Sequence, residues 1–140
     1  MNDDRPKPPF LVIRERMSFW VETSAANEAS ATLQAFHEGC FRDASCYDAT
    51  GGLWRIVGAA LTKRPSFLQR MLPWRKVPVQ LQLGPRTETT VAEVVSRLAH
   101  VLRTDNEFSE HLGASSAELL RRFQSARTPL DIIRIAERPV

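Results

Sequence analysis

From Phe10 the chain runs Phe10-Leu11-Val12-Ile13 and, after a charged interruption, resumes with Phe19-Trp20-Val21. Short apolar runs rich in β-branched and aromatic residues predict two strands or one bent strand over Phe10 to Glu15 and Ser18 to Thr23. Ser24 then reads as the cap of a helix in which Ala26, Ala29, Leu33 and Phe36 follow a three-and-four spacing, with His37 and Glu38 in its last turn and Gly39 as its stop. Ser45 to Leu61 predicts a hairpin, with Ala49-Thr50-Gly51-Gly52 as the turn, because paired glycines can adopt the positive φ of tight turns. Beyond it Pro65 opens a short helix carrying Phe67, Leu68, Met71 and Leu72 on one apolar face, and Pro73 ends it. Val77 to Leu83 alternates. Val77, Val79, Leu81 and Leu83 should face inward, Gln80 and Gln82 should face water, and Pro78 implies an edge or the start of a strand.

The C-terminal third reads as helical. Thr90 and Glu93 form a capping-box pair ahead of the stripe Val91, Val94, Val95, Leu98 and Leu102. Ser115 and Glu118 repeat the pattern before Leu119, Leu120 and Phe123, and Thr128-Pro129 opens a last helix with Leu130, Ile133 and Ala136. Phe108 and Leu112 are expected to anchor the loop between the first two of these helices. Strands with an early helix, followed by mostly helices, imply an α+β fold: an antiparallel sheet of about four or five strands packed against N- and C-terminal helices. A single domain over residues 10–140 is expected behind a flexible lead, residues 1–9, which holds three prolines and no periodicity.

Composition agrees with one globular domain: 140 residues, 43% apolar and 25% charged, values that exclude a disordered, collagen-like or disulfide-scaffold chain. The longest apolar stretches, such as Ile56 to Leu61, are far shorter than the roughly 18 residues of a membrane span. The acidic, proline-rich start lacks the basic and apolar regions of a secretory signal, so the expected location is the cytoplasm, with Cys40 and Cys46 as reduced thiols.

Candidate chemistry is sparse. His37, Cys40 and Cys46 offer three metal ligands within ten residues, but their spacing matches no closed zinc pattern. His37 lies one turn before Cys40 on the predicted helix, yet a helix C-terminus raises rather than lowers a thiol pKa. Asp43 and Asp48 suit turns better than paired acid–base catalysis, and Thr50-Gly51-Gly52 suits a hairpin better than a phosphate nest. No catalytic residue, cofactor or metal is expected, and the chain does not read as an enzyme.

Charge changes the picture. Between Ala49 and Thr87 there is no Asp or Glu, while Arg55, Lys63, Arg64, Arg70, Arg75, Lys76 and Arg86 make the stretch +7. The 48 residues before it hold eight acidic against five basic residues and the 53 after it eight against seven, so the formal +3 of the chain hides a charge dipole. Within the stretch five cations interleave with Phe, Leu, Met and Trp over residues 63–76, and most of its apolar residues are assigned to the core. Arg55, Lys63, Arg64, Arg70, Trp74, Arg75 and Lys76 are the expected partner contacts, since Arg and Trp dominate many protein interfaces. A modest total charge and the lack of a nucleic-acid motif weigh against a specific reader, although a nucleic-acid-associated regulator using segment 55–76 is the alternative. About two helical turns of apolar residues give only marginal membrane attachment. A protein with a locally acidic surface fits the pattern best.

The run Asp48-Ala-Thr-Gly51-Gly52-Leu-Trp54, the alternating strand at Val77 to Leu83, the helix from Val91 and the α+β order together resemble the small immunity proteins that bacteria make against the toxic tips of contact-dependent inhibition and other polymorphic toxin systems. The resemblance is one of layout across most of the chain. It implies a non-enzymatic inhibitor that binds and blocks a cognate toxin domain. It carries over no contact residue, because these proteins share a task and not a fold. Many that face nucleases are acidic, so a basic chain implies a locally acidic toxin surface or a contact that avoids the basic segment.

Overall fold

A computed structural model describes residues 5–14, 18–23, 28–72, 74–104 and 116–137. Seven strands form one antiparallel sheet: β1 (Phe10–Arg14), β2 (Ser18–Glu22), β3 (Glu28–Thr32), β4 (Ala44–Asp48), β5 (Gly52–Leu61), β6 (Lys76–Leu83) and β7 (Thr87–Glu88). The order across the sheet is β2-β1-β4-β5-β6-β3, and β7 pairs with the start of β5. Among the described residues five helices accompany it: α1 (Leu33–His37), α2 (Phe67–Met71), α3 (Val91–Thr104), α4 (Ser116–Gln124) and α5 (Pro129–Glu137). The fold is α+β as expected, with more strands than the four or five that the pattern implied.

The period-2 alternation of the strands divides the apolar residues into two cores. One face sends Phe10 and Val12 of β1, Ala29 and Ala31 of β3, Cys46 of β4, Trp54 and Ile56 of β5, and Val79 and Leu81 of β6 into a common interior. The sheet therefore curls nearly into a barrel around them. The opposite face of β2-β1-β4 presents Leu11, Ile13, Phe19 and Tyr47 to the stripes of α3, α4 and α5, where Val94, Leu98, Leu102, Leu119, Phe123, Ile132 and Ile133 are buried. Phe19 and Phe123 meet edge to face at 5.6 Å. β1 serves both cores, which is why all of Phe10-Leu11-Val12-Ile13 is buried without an alternation of polar residues.

Two strand assignments differ from the sequence reading. Glu28-Ala29-Ser30-Ala31-Thr32 is not helical but the edge strand β3, paired with β6 from Glu28↔Gln80 to Thr32↔Lys76. Its composition suits a helix, but only extended backbone puts both Ala29 and Ala31 into the interior against β6, and that pairing outweighs propensity. The helix is reduced to Leu33–His37, capped by the Thr32 hydroxyl accepting from Ala35 N, and Gly39 at φ +79° ends the turn as expected. Ser24 and Ala26 lie outside the described residues. Pro78 is not on an edge: β6 is flanked by β5 and β3. Pro78 O accepts from Thr62 N at 3.3 Å, just past the end of β5, so the donor that proline lacks would face no strand residue.

The hairpin forms as expected. Gly51, at φ +84°, donates its N–H to Asp48 O across the turn, and Asp48 Oδ1 accepts from Thr50 N at 3.0 Å. Asp48 is fully buried, and its other oxygen holds Lys7 N at 2.9 Å. The caps of the C-terminal helices are also present: Thr90 Oγ1 accepts from Glu93 N, and Thr128 Oγ1 accepts from Asp131 N. Glu93 differs in detail from a capping box, accepting from the Thr89 hydroxyl. Ser115, Phe108 and Leu112 lie outside the described residues.

Candidate partner interface

The connection from β5 to β6 carries α2, and its short length explains how it sits. Ser66 Oγ accepts from Gln69 N while Gln69 Oε1 accepts from Ser66 N at 2.9 Å, a complete capping box around a helix of only five residues. Within one and a half turns the backbone must choose which face to turn to the body. Pro65, Gln69 and Leu72 are half-buried, and Pro65 and Gln69 line a crevice with Leu61, Val77 and Pro78. The apolar side points the other way. Phe67 is 73% exposed, Leu68 58%, Met71 60% and Trp74 65%. Phe67, Leu68 and Met71 were expected to belong to the core; instead no residue of α2 is buried, and α2 and its C-terminal turn hold four of the five large apolar side chains found exposed among the described residues.

The same connection carries Lys63, Arg64, Arg70 and Arg75, all exposed and none in an ion pair among the described residues, with Lys63 also lining the crevice beside Pro65 and Gln69. Trp74 follows α2 directly, where Arg75 N donates to Leu72 O. Five of the seven expected contacts, Lys63, Arg64, Arg70, Trp74 and Arg75, thus share one protruding connection.

The other two point elsewhere. Arg55 is six residues before Leu61 on β5, about 20 Å along the strand, and borders a groove of about 470 Å³ with Arg42, Asp43, Phe36 and Phe41. Lys76 opens β6 beside a second cavity of about 410 Å³, shared with Trp20, Glu22 and Cys40. Arg86 has a structural post: it pairs with Glu88, donates to Thr50 Oγ1 at 3.3 Å and covers the Trp54 ring at 5.7 Å.

The Lys76 cavity lies at the seam between the sheet's two ends. Glu22 on β2, only 5% exposed, accepts from Trp20 Nε1 at 2.9 Å and from Ser30 N of β3 at 3.3 Å. Burial pushes its carboxyl pKa up, offset in part by those two hydrogen bonds and by Lys76. Cys40 and His37 do not share a helix face, because α1 ends at His37 and Gly39 reverses the chain before Cys40. Burial pushes both the Cys40 and the Cys46 thiol pKa up, the opposite of nucleophile activation, and both thiols are free. Among the described residues no three His, Cys, Asp or Glu side chains gather to hold a metal, and no helix is long and apolar enough to cross a membrane.

What sequence reasoning missed is Phe67, Leu68 and Met71 as surface residues, Arg42 as the neighbour of Arg55, and Glu22. The signal for α2 lay in its length: a proline-bounded, five-residue helix between two strands cannot bury a full stripe. No protein-family model, curated protein or solved structure matches the chain.

Proposed function

We propose that this chain is a non-enzymatic binding protein, an immunity-type inhibitor that holds a cognate toxin domain with the β5–β6 connection and blocks its active site. The observation that carries the reading is the exposed apolar set Phe67, Leu68 and Met71 of α2 with Trp74 just after it, on a connection whose Lys63, Arg64, Arg70 and Arg75 form no ion pair among the described residues. Large apolar side chains held in water cost free energy that burial against a partner recovers, about 25 cal/mol for each Å² covered. The surrounding cations select a partner whose apolar cleft has an acidic border, and steer its approach. A nucleic acid would engage the cations but leave the α2 side chains without an apolar counterpart. A membrane surface would be gripped by little more than one helical turn. The choice of a toxin domain rests on the likeness in size and α+β order to immunity proteins, and the raised thiol pKa values speak against Cys40 or Cys46 as a thiolate nucleophile.

The test is co-production with the product of the gene directly upstream, which this reading expects to carry a toxin domain. The wild type should restore growth, and the Phe67→Asp, Trp74→Ala double variant should lose protection while remaining folded. Full protection by the folded double variant would contradict the reading. A low-salt gel-shift series with mixed-sequence RNA and DNA should show no retarded species; a shift that fades steeply with salt would favour the nucleic-acid alternative instead.

A further inference from the structure

The backbone of β5 changes partners halfway along its length. Leu53, Trp54 and Arg55 pair with β4, whereas Ile56 to Leu61 pair on the other side with β6. β4 cannot follow β5 further, because the chain bends away just before it at Asp43, held at φ +56°. A bulge between Ile56 and Gly58 shifts the phase of the ladder. Beyond it, Thr62 N bonds Pro78 O, and the register Ala60↔Gln80 and Gly58↔Gln82 continues that bonded series. Hydrogen-bonded and non-bonded pairs alternate in an antiparallel ladder. The N–H and C=O of Ala59 and Leu61 therefore point to the opposite edge, where no strand among the described residues pairs with them.

As far as Ala59 that edge borders the 470 Å³ groove, which Phe36, Phe41, Arg42 and Arg55 also line. Val57, on the bulge, is 64% exposed there. Open strand edges accept extended chains by main-chain pairing. A second copy is a poor occupant: antiparallel pairing of two such edges centred on Ala59 would set Arg55 opposite Lys63, cation against cation. Among the described residues Asp43 is the single acid lining the groove, against Arg42 and Arg55.

We propose that the Val57–Leu61 edge of β5 binds an extended, acidic segment of a partner protein as an added strand, with Ala59 and Leu61 supplying the main-chain bonds and Arg42 and Arg55 receiving its carboxylates. The groove is distinct from the exposed face of α2, although Leu61 at the end of the edge adjoins Pro65 and Gln69, and the proposal stands without the reading of that helix. The probe is a capped six-residue peptide of alternating Glu and Val, with alternating Lys and Val as its counterpart, titrated into the isotope-labelled full chain by NMR. The acidic peptide should shift the amides of Val57, Ala59 and Leu61, slow their hydrogen exchange, and bind at least about tenfold tighter than the basic one. Ala59→Pro, which removes a donor from the open edge and none from the β6 ladder, should weaken binding about tenfold. Should that variant not fold, the exposed pair Arg42→Glu, Arg55→Glu decides the matter, and it should reverse the preference between the two peptides. Phe67→Asp should bind the acidic peptide as the wild type does. The proposal is overturned if millimolar acidic peptide leaves those amides unmoved, or if both peptides bind equally.

Discussion

Glu22 of β2 accepts the backbone N–H of Ser30 in β3 at 3.3 Å, so one buried carboxylate joins the two ends of a sheet whose strand order would otherwise leave them apart. The same oxygen holds Trp20 Nε1, which orients the indole toward Phe41 at 5.9 Å on the interior side. Closure at the seam is therefore polar.

Glu22→Ala should destabilise the protein by about 2–3 kcal/mol by stranding both donors, and Glu22→Gln, which keeps an acceptor, by about 1 kcal/mol. The pH dependence has a definite sign. A carboxyl whose pKa is raised in the folded state binds more protons there than in the unfolded chain, so its contribution is fully present below the ordinary value of 4.5 and is lost as pH rises through the folded value. Urea midpoints of the wild type relative to Glu22→Gln should fall as pH climbs above 4.5 and then level off. A difference independent of pH would contradict the buried seam.

Tyr47 presents a different polar problem. Its hydroxyl is buried against the helical layer with no hydrogen-bond partner among the described residues, and burial, with Asp48 adding to it, pushes its pKa up to about 12. Tyr47→Phe removes a group that gains nothing from its surroundings and should stabilise by about 1 kcal/mol, read as a higher denaturation midpoint with an unchanged slope. Destabilisation of that size would mean the hydroxyl has a partner.

Two glycines of β5 should respond in opposite ways to alanine. At Gly52 a Cβ would stand 2.7 Å from Cη2 of the buried Trp54 ring, which the interior holds in place. At Gly58 it would meet Gln82 Oε1, the end of an exposed side chain that can swing away. Gly52→Ala should cost about 1–3 kcal/mol, and Gly58→Ala should stay within about 0.5 kcal/mol. Thermal melts of the two variants side by side distinguish them.

Much of this architecture was legible from pattern alone, and the failures share a cause. The hairpin at Gly51, the alternation of Val77, Val79 and Leu81, and the stripe from Val91 to Leu102 are local signals, and each element stands where its period placed it. β3 failed because alanines and a serine carry helix propensity, and only the partner strand β6, some fifty residues away, makes extended backbone the better choice. The closing role of Glu22 was invisible for the same reason, since Trp20 and Ser30 acquire meaning only once the sheet curls. At the candidate interface the basic residues were plain from composition. The outward turn of Phe67, Leu68 and Met71 was not, because hydrophobic residues at helical spacing normally face inward, and which side of a five-residue helix meets the body depends on Pro65 and Gln69 fitting against β5 and β6.

The exposed indole has a spectroscopic consequence. Trp74 is 65% exposed whereas Trp54 is 1% exposed, so acrylamide should quench a red-shifted component that Trp74→Phe removes, with the denaturation midpoint altered by no more than about 0.5 kcal/mol. Quenching unaffected by that substitution would place Trp74 against the body of the protein.

Calorimetric titration of the purified chain with the toxin domain that the proposal expects from the gene directly upstream, in moderate salt, tests the central claim most directly. The expected result is a 1:1 complex for the wild type and at least about 100-fold weaker binding for the Phe67→Asp, Trp74→Ala variant, as befits two apolar anchors at an interface centre. Equal affinity for the two folded proteins, or no complex with the wild type, would contradict the assignment of α2 as the recognition surface.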